Sequence, residues 1–210
     1  MSNRTSLAIA LALGVALGLF SLLGDGLPVD TPMIVLVALA NAASPWLVTA
    51  FAAGAIARDR SRGALSGSLA LSVAVATYYG GIAIRSVAPS DLGVVWAAWI
   101  GVALIAGLAF GVAGGAWRSR RSPLAVAVLA GALLAEAAYR FIELEAWDGI
   151  DVTRTSMQVA IVNVIAAALA PALLLPRDRW PIGYGLTVAV APIGIAVVAL
   201  VTWAVQAIRF

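Results

Sequence analysis

From Ser6 to Gly24 the chain carries no charged side chain, and apolar runs of this kind recur to its end. A helix of about 20 apolar residues crosses the hydrocarbon core of a bilayer. Runs of that kind lie near Ser6–Gly24, Met33–Ala57, Ala64–Val87, Leu92–Gly115, Pro123–Leu144, Met157–Leu175 and Gly183–Ile208. The expectation is an all-α, polytopic transmembrane helical bundle of about seven spans, forming a single integral membrane domain over residues 1–210. The second run is the least regular, because Pro45 follows Asn41 and Ser44 inside it. A kink or a break is expected there. The first run is expected to remain as a helix, since Leu22-Leu23-Gly24 offers no small-x-small cleavage site at its end.

Apolar residues make up 63% of the chain and charged residues 11%. Soluble domains carry about 25% charged residues, so lipid is the expected surrounding for this much apolar surface. All 13 basic residues are Arg, and neither Cys nor His occurs. A retinal Schiff base is therefore excluded for want of Lys. Zinc held by Cys or His, haem on those ligands, thiol nucleophiles, Ser-His-Asp triads and disulfides are excluded too. The net charge of +3 is no sign of a nucleic-acid partner, because the Arg residues sit in short loops between apolar runs. That is the topology signal of membrane proteins. The Ala-, Gly- and Arg-rich composition suggests a GC-rich bacterial genome.

One set of loops carries Arg4, then Arg58, Arg60 and Arg62, then Arg118, Arg120 and Arg121, then Arg177 and Arg179, opposed by Asp59 and Asp178. The other set carries Asp25, Asp30, Asp91, Glu143, Glu145, Asp148 and Asp151, with Arg85, Arg154 and Arg209. The positive-inside rule puts the first set, and with it the N-terminus, in the cytoplasm of a bacterial inner membrane. The turns Arg58-Asp59-Arg60, Arg118-Ser119-Arg120 and Arg177-Asp178-Arg179 begin sixty and fifty-nine residues apart. A three-fold repeat of one helical hairpin behind a leading helix would give that spacing.

Ionisable groups inside lipid are costly and usually functional. Glu136 and Arg140 stand at i and i+4 in the fifth run, on one helix face, with Tyr139 beside them. At 1.5 Å per residue Glu136 lies roughly 12 Å below the outer helix end, too deep to snorkel. Asn41, Tyr78, Tyr79, Trp99, Asn163, Thr202 and Trp203 fall at similar depth in other runs. These groups would line an outward-facing cavity. Glu136, Arg140, Tyr139, Tyr78, Tyr79, Asn41, Trp99 and Asn163 are the candidate ligand-binding residues. A structural ion pair that locks the bundle is the other reading of Glu136 and Arg140. The break at Pro45 frees a carbonyl near position 41, which Asn41 or Ser44 could satisfy. Small residues form rows at Ala8, Ala12 and Ala16, at Ala10, Gly14 and Gly18, and at Gly107, Gly111 and Gly115. Such rows let helices approach closely, within the chain or against a partner subunit.

With Asn41-Ala42-Ala43-Ser44-Pro45-Trp46 followed by an Arg turn and a Tyr-Tyr helix, the chain resembles an uncharacterised family of small bacterial multipass membrane proteins. In size, cavity and small-residue first helix it also looks like the substrate-binding subunits of energy-coupling factor transporters. That likeness implies a small-molecule solute and an ATPase partner subunit, and the chain has no Walker-type loop of its own. Binding or transport of a small polar organic solute is the expected function. The alternative is a structural or assembly factor for another membrane protein. Glu136 has no nucleophile or metal site beside it, so no enzymatic activity, cofactor or metal is expected.

Overall fold

A computed structural model describes residues 3–27, 34–40, 42–85, 92–144 and 150–208. Its α-helices are α1 (Asn3–Gly24), α2 (Ile34–Ala40), α3 (Ala43–Ala57), α4 (Arg60–Arg85), α5 (Leu92–Arg120), α6 (Pro123–Leu144), α7 (Ile150–Leu174) and α8 (Trp180–Ile208). A short 3-10 turn, Arg177–Arg179, leads into α8. Six helices among the described residues are long and apolar enough to cross a membrane, and α3 is a shorter apolar one. Helices of this number and character are those of a multi-pass membrane protein. The second apolar run is not one helix but two, α2 and α3, parted just before Ser44 and Pro45.

Local chemistry sets the helix ends. The Asp59 carboxylate accepts the N–H of Arg62 at 2.8 Å, capping the first turn of α4. Ser122 precedes Pro123, the first residue of α6, where a missing N–H costs nothing. Arg58 and Arg121 follow α3 and α5 in the left-handed region, at φ of 68° and 50°. Each reverses the chain where glycine is the usual residue. Arg118-Ser119-Arg120 lies inside the last turn of α5 rather than in the connection, which is Arg121-Ser122. Helix α7 starts at Ile150, one to two turns before the expected span.

The described chain forms two compact units. The first contains residues 1–26 and 45–120. There α4 packs on both α1 and α5. Glycine makes the close approach possible. A Cβ on Gly18 would stand 2.7 Å from Thr77 Cβ, and one on Gly67 would stand 2.8 Å from Gly111 Cα. Ala10, Gly14 and Gly18 are buried on the α4 side, whereas Ala8, Ala12 and Ala16 are exposed. The two rows of α1 thus differ: one packs within the chain and one is left on its surface. Leu17, Ala50, Leu71, Ala74, Val75 and Ala103 form the core, flanked by Tyr79, Trp96 and Trp99.

The second unit contains residues 27–44 and 121–210. Its centre is α6, packed on α7 and α8, with α2 against α7. Val126, Ala127, Ala130, Leu133, Ala135 and Ala137 of α6 are buried. Helix α8, by contrast, exposes Val188, Ile193, Val197 and Leu200, an apolar face suited to lipid. The three hairpins expected from the Arg spacing are not the building blocks of these units, since α5 and α6 fall in different ones.

Candidate functional site

Among the described residues of the second unit one acid is buried, Glu136, and it sits where the second apolar run breaks. Glu136 is 4% exposed. Its Oε1 accepts the main-chain N–H of Ala43 at 2.9 Å, and its Oε2 accepts that of Ser44 at 2.7 Å. Arg140, one turn further along α6, reaches Oε1 at 3.3 Å through Nη2. Ala43, Ser44, Glu136 and Arg140 all belong to the same unit.

The reason lies in the first turn of α3. A helix start leaves its first four N–H groups without helical acceptors. Here Ala42 donates to Leu39 O at 3.1 Å, Ala43 and Ser44 donate to Glu136, and Pro45 has no N–H to place. All four positions are thereby satisfied without water. The carboxylate is an N-cap supplied by another helix, placed at the positive end of the α3 dipole. The Arg140 side chain is partly exposed, so its charge offsets Glu136 while keeping some contact with the surroundings.

Further polar atoms lie buried on α3 and α7. Among the described residues Ser44 Oγ, Gln158 Oε1 and Asn163 Nδ2 have no hydrogen-bond partner. Asn163 is 1% exposed. It follows Val159 by one turn of α7, on the same face, and Val159 packs against Ala38 and Ala42 at the break. The Ser44 hydroxyl therefore does not satisfy the broken helix, as the sequence suggests it could; the Ser44 N–H contributes instead. Asn41, the other candidate for that role, and the side chain of Thr202 lie outside the described residues.

The expected ligand-binding residues divide between the units. Glu136, Tyr139, Arg140 and Asn163 belong to the second, and Tyr78, Tyr79 and Trp99 to the first. Within the first, Tyr79 stacks on Trp96 with ring centroids 6.4 Å apart and meets Tyr78 edge-on at 5.0 Å. Trp96 shares this cluster with Tyr79 and Trp99. Tyr78 donates its hydroxyl to the Asp25 carboxylate beyond the end of α1. Near it Arg85 Nη1 reaches Leu22 O at 3.3 Å. In the sequence Asp25 belongs to the outer loops with nothing to mark Tyr78 as its partner, and nothing marks Ala43 and Ser44 as partners of Glu136. The available signal was a lone carboxylate in one span and a Ser-Pro helix start in another.

A family model of unknown function, DUF6518, matches residues 1–207. The chain belongs to the DUF6518 family. No curated protein and no solved structure matches it. For this DUF6518 chain, the chemistry of the site thus rests on its own geometry: two convergent N–H donors and a guanidinium around a carboxylate, held at a break in an apolar helix.

Proposed function

We propose that this chain binds or transports a small polar organic solute, at a site built on the break between α2 and α3. The observation that carries the reading is Glu136, buried and held by Ala43, Ser44 and Arg140. Spanning helices break where backbone lines a cavity or is buried in protein, and the exposed half-helix ends commonly face a solute. An ionisable pair in the same place adds to that reading. On this view α2 and α3 together make one crossing, which with the six long helices gives seven, with the N-terminus in the cytoplasm of a bacterial inner membrane. Energy for transport would come from an ATPase partner subunit.

The test is native mass spectrometry on protein gently extracted from its host membrane. The expected result is a small-molecule adduct that Glu136→Gln loses while remaining folded. An adduct retained in full by that variant sinks the site assignment.

A second reading is supported by the same carboxylate. Every donor in the first turn of α3 is satisfied from within the chain, as in a purely structural lock. A structural or assembly factor for another membrane protein would need no more. Its expected result in the same experiment is a stoichiometric protein partner with no small adduct.

A further inference from the structure

The solute-binding reading leaves the class of solute open, and the partners of Glu136 narrow it. The two N–H groups at the start of α3 hold a carboxylate with one oxygen on each, 2.9 and 2.7 Å away. Parallel N–H donors aligned with a helix dipole select an anion of this shape over a cation or a neutral group. The same end of α3 carries the Ser44 hydroxyl, in a residue 5% exposed, and its Oγ is unpartnered. On α7, one turn from Val159, which packs against Ala42, Asn163 has a buried Nδ2 that is unpartnered among the described residues. Glu136 thus uses the main-chain donors and leaves the Ser44 hydroxyl over.

We infer that the N-terminus of α3 is a recognition site for a carboxylate-bearing solute, and that Glu136 is its resident ligand, displaced when the solute binds. The inference rests on the solute-binding reading for its occupant. The solute carboxylate takes the N–H groups of Ala43 and Ser44, while Ser44 Oγ meets another of its polar atoms. Glu136 keeps Arg140, one turn away on its own helix, as counter-ion. A tethered competitor of this kind weakens solute affinity by the fraction of time it occupies the site, and lets the solute leave again.

The experiment removes the resident ligand and offers a free one. Glu136→Ala is extracted and heated in sodium acetate, in sodium chloride of equal ionic strength, and in ethylammonium chloride. Acetate is expected to raise Tm by several degrees in a saturable manner. Ethylammonium should not, and acetate should have little effect on the wild type. Adding Ser44→Ala should weaken the acetate effect. A folded Glu136→Ala protein indifferent to acetate overturns the inference. Glu136→Gln guards against misfolding: if it folds while Glu136→Ala folds in none of the salts, free carboxylate cannot replace the side chain and the inference falls. Failure of both variants in every salt has the same meaning. Acetate rescue, with a wild type that binds no solute, keeps the carboxylate site and removes the solute-binding reading. A wild type that binds only solutes without a carboxylate, with no acetate rescue, does the reverse.

Discussion

Gly67 and Gly111 face each other across α4 and α5 so closely that a Cβ on the first would stand 2.8 Å from the Cα of the second. Backbone meets backbone here, and no side chain can adjust. Gly67→Ala is therefore expected to cost about 1–3 kcal/mol through overpacking, and so is Gly111→Ala, whose Cβ would stand 2.9 Å from the Gly63 carbonyl carbon. Gly101, on the same helix with nothing within 4 Å of its Cβ position, is the control. Gly101→Ala should be neutral or stabilise by about 0.5–1 kcal/mol. Unfolding of these variants in one detergent checks this, and equal Tm values would show that the approach of α4 to α5 is not as described.

Glu136→Ala leaves the Ala43 and Ser44 donors and the Arg140 charge without their partner. Loss of one member of a buried pair costs about 3–5 kcal/mol. Glu136→Gln keeps one acceptor oxygen and should cost less, about 1–3 kcal/mol. Denaturant titration of the two variants beside the wild type measures the order. An alanine variant as stable as the glutamine one contradicts the cap.

Amide exchange examines the same contact from the backbone side. The N–H groups of Ala43 and Ser44 should be protected in the wild type and exchange faster in Glu136→Gln, with amides in the middle of α4 unchanged. Equal rates at Ala43 and Ser44 in both proteins would mean the carboxylate does not hold them.

Tyr78 and Asp25 offer a separate measurement. Tyr78→Phe removes the hydroxyl donated to Asp25, and Asp25→Asn removes the charge. Each should lower stability by about 1 kcal/mol, and together by less than their sum. Strict additivity in the double-mutant cycle would show that the two side chains do not interact.

The absence of cysteine makes orientation directly measurable. Ser61→Cys, between Arg60 and Arg62, should resist an impermeant maleimide in intact cells, whereas Gly26→Cys should react. The reverse pattern overturns the positive-inside assignment.

Much of the helical order was legible in the sequence, because long apolar runs admit few solutions in lipid. Pro45 marked the break, since proline removes the N–H that a continuous helix needs. The glycine row of α5 signalled close packing, but only the structure shows it answered by Gly63 and Gly67 of α4 and by Gly54 of α3. Arg118-Ser119-Arg120 read as a turn because charge marks a membrane boundary, yet charge does not end a helix; Arg121, in the left-handed region, does. Glu136 stood out as an expensive group, but its partners did not. They are main-chain donors of Ala43 and Ser44, and nothing in an alanine or serine side chain announces that its N–H is free. The sequence picks out Tyr79 and Trp99 as aromatic residues within apolar runs, but not their place in an apolar cluster with Trp96.

The cap on α3 also imposes a schedule on biosynthesis. Ser44 leaves the ribosome 92 residues ahead of the acid that receives its N–H. Helices α4 and α5 are made in the interval, so the second apolar run waits through two more helices with its native acceptor not yet translated. Helix α6 then brings Glu136 and Arg140, a pair that its own apolar residues can scarcely carry into lipid alone. Each segment lacks what the other supplies. A nascent chain halted before residue 136 has no acceptor for the Ala43 and Ser44 N–H groups, so the break in the second run can take its final form only once α6 is made.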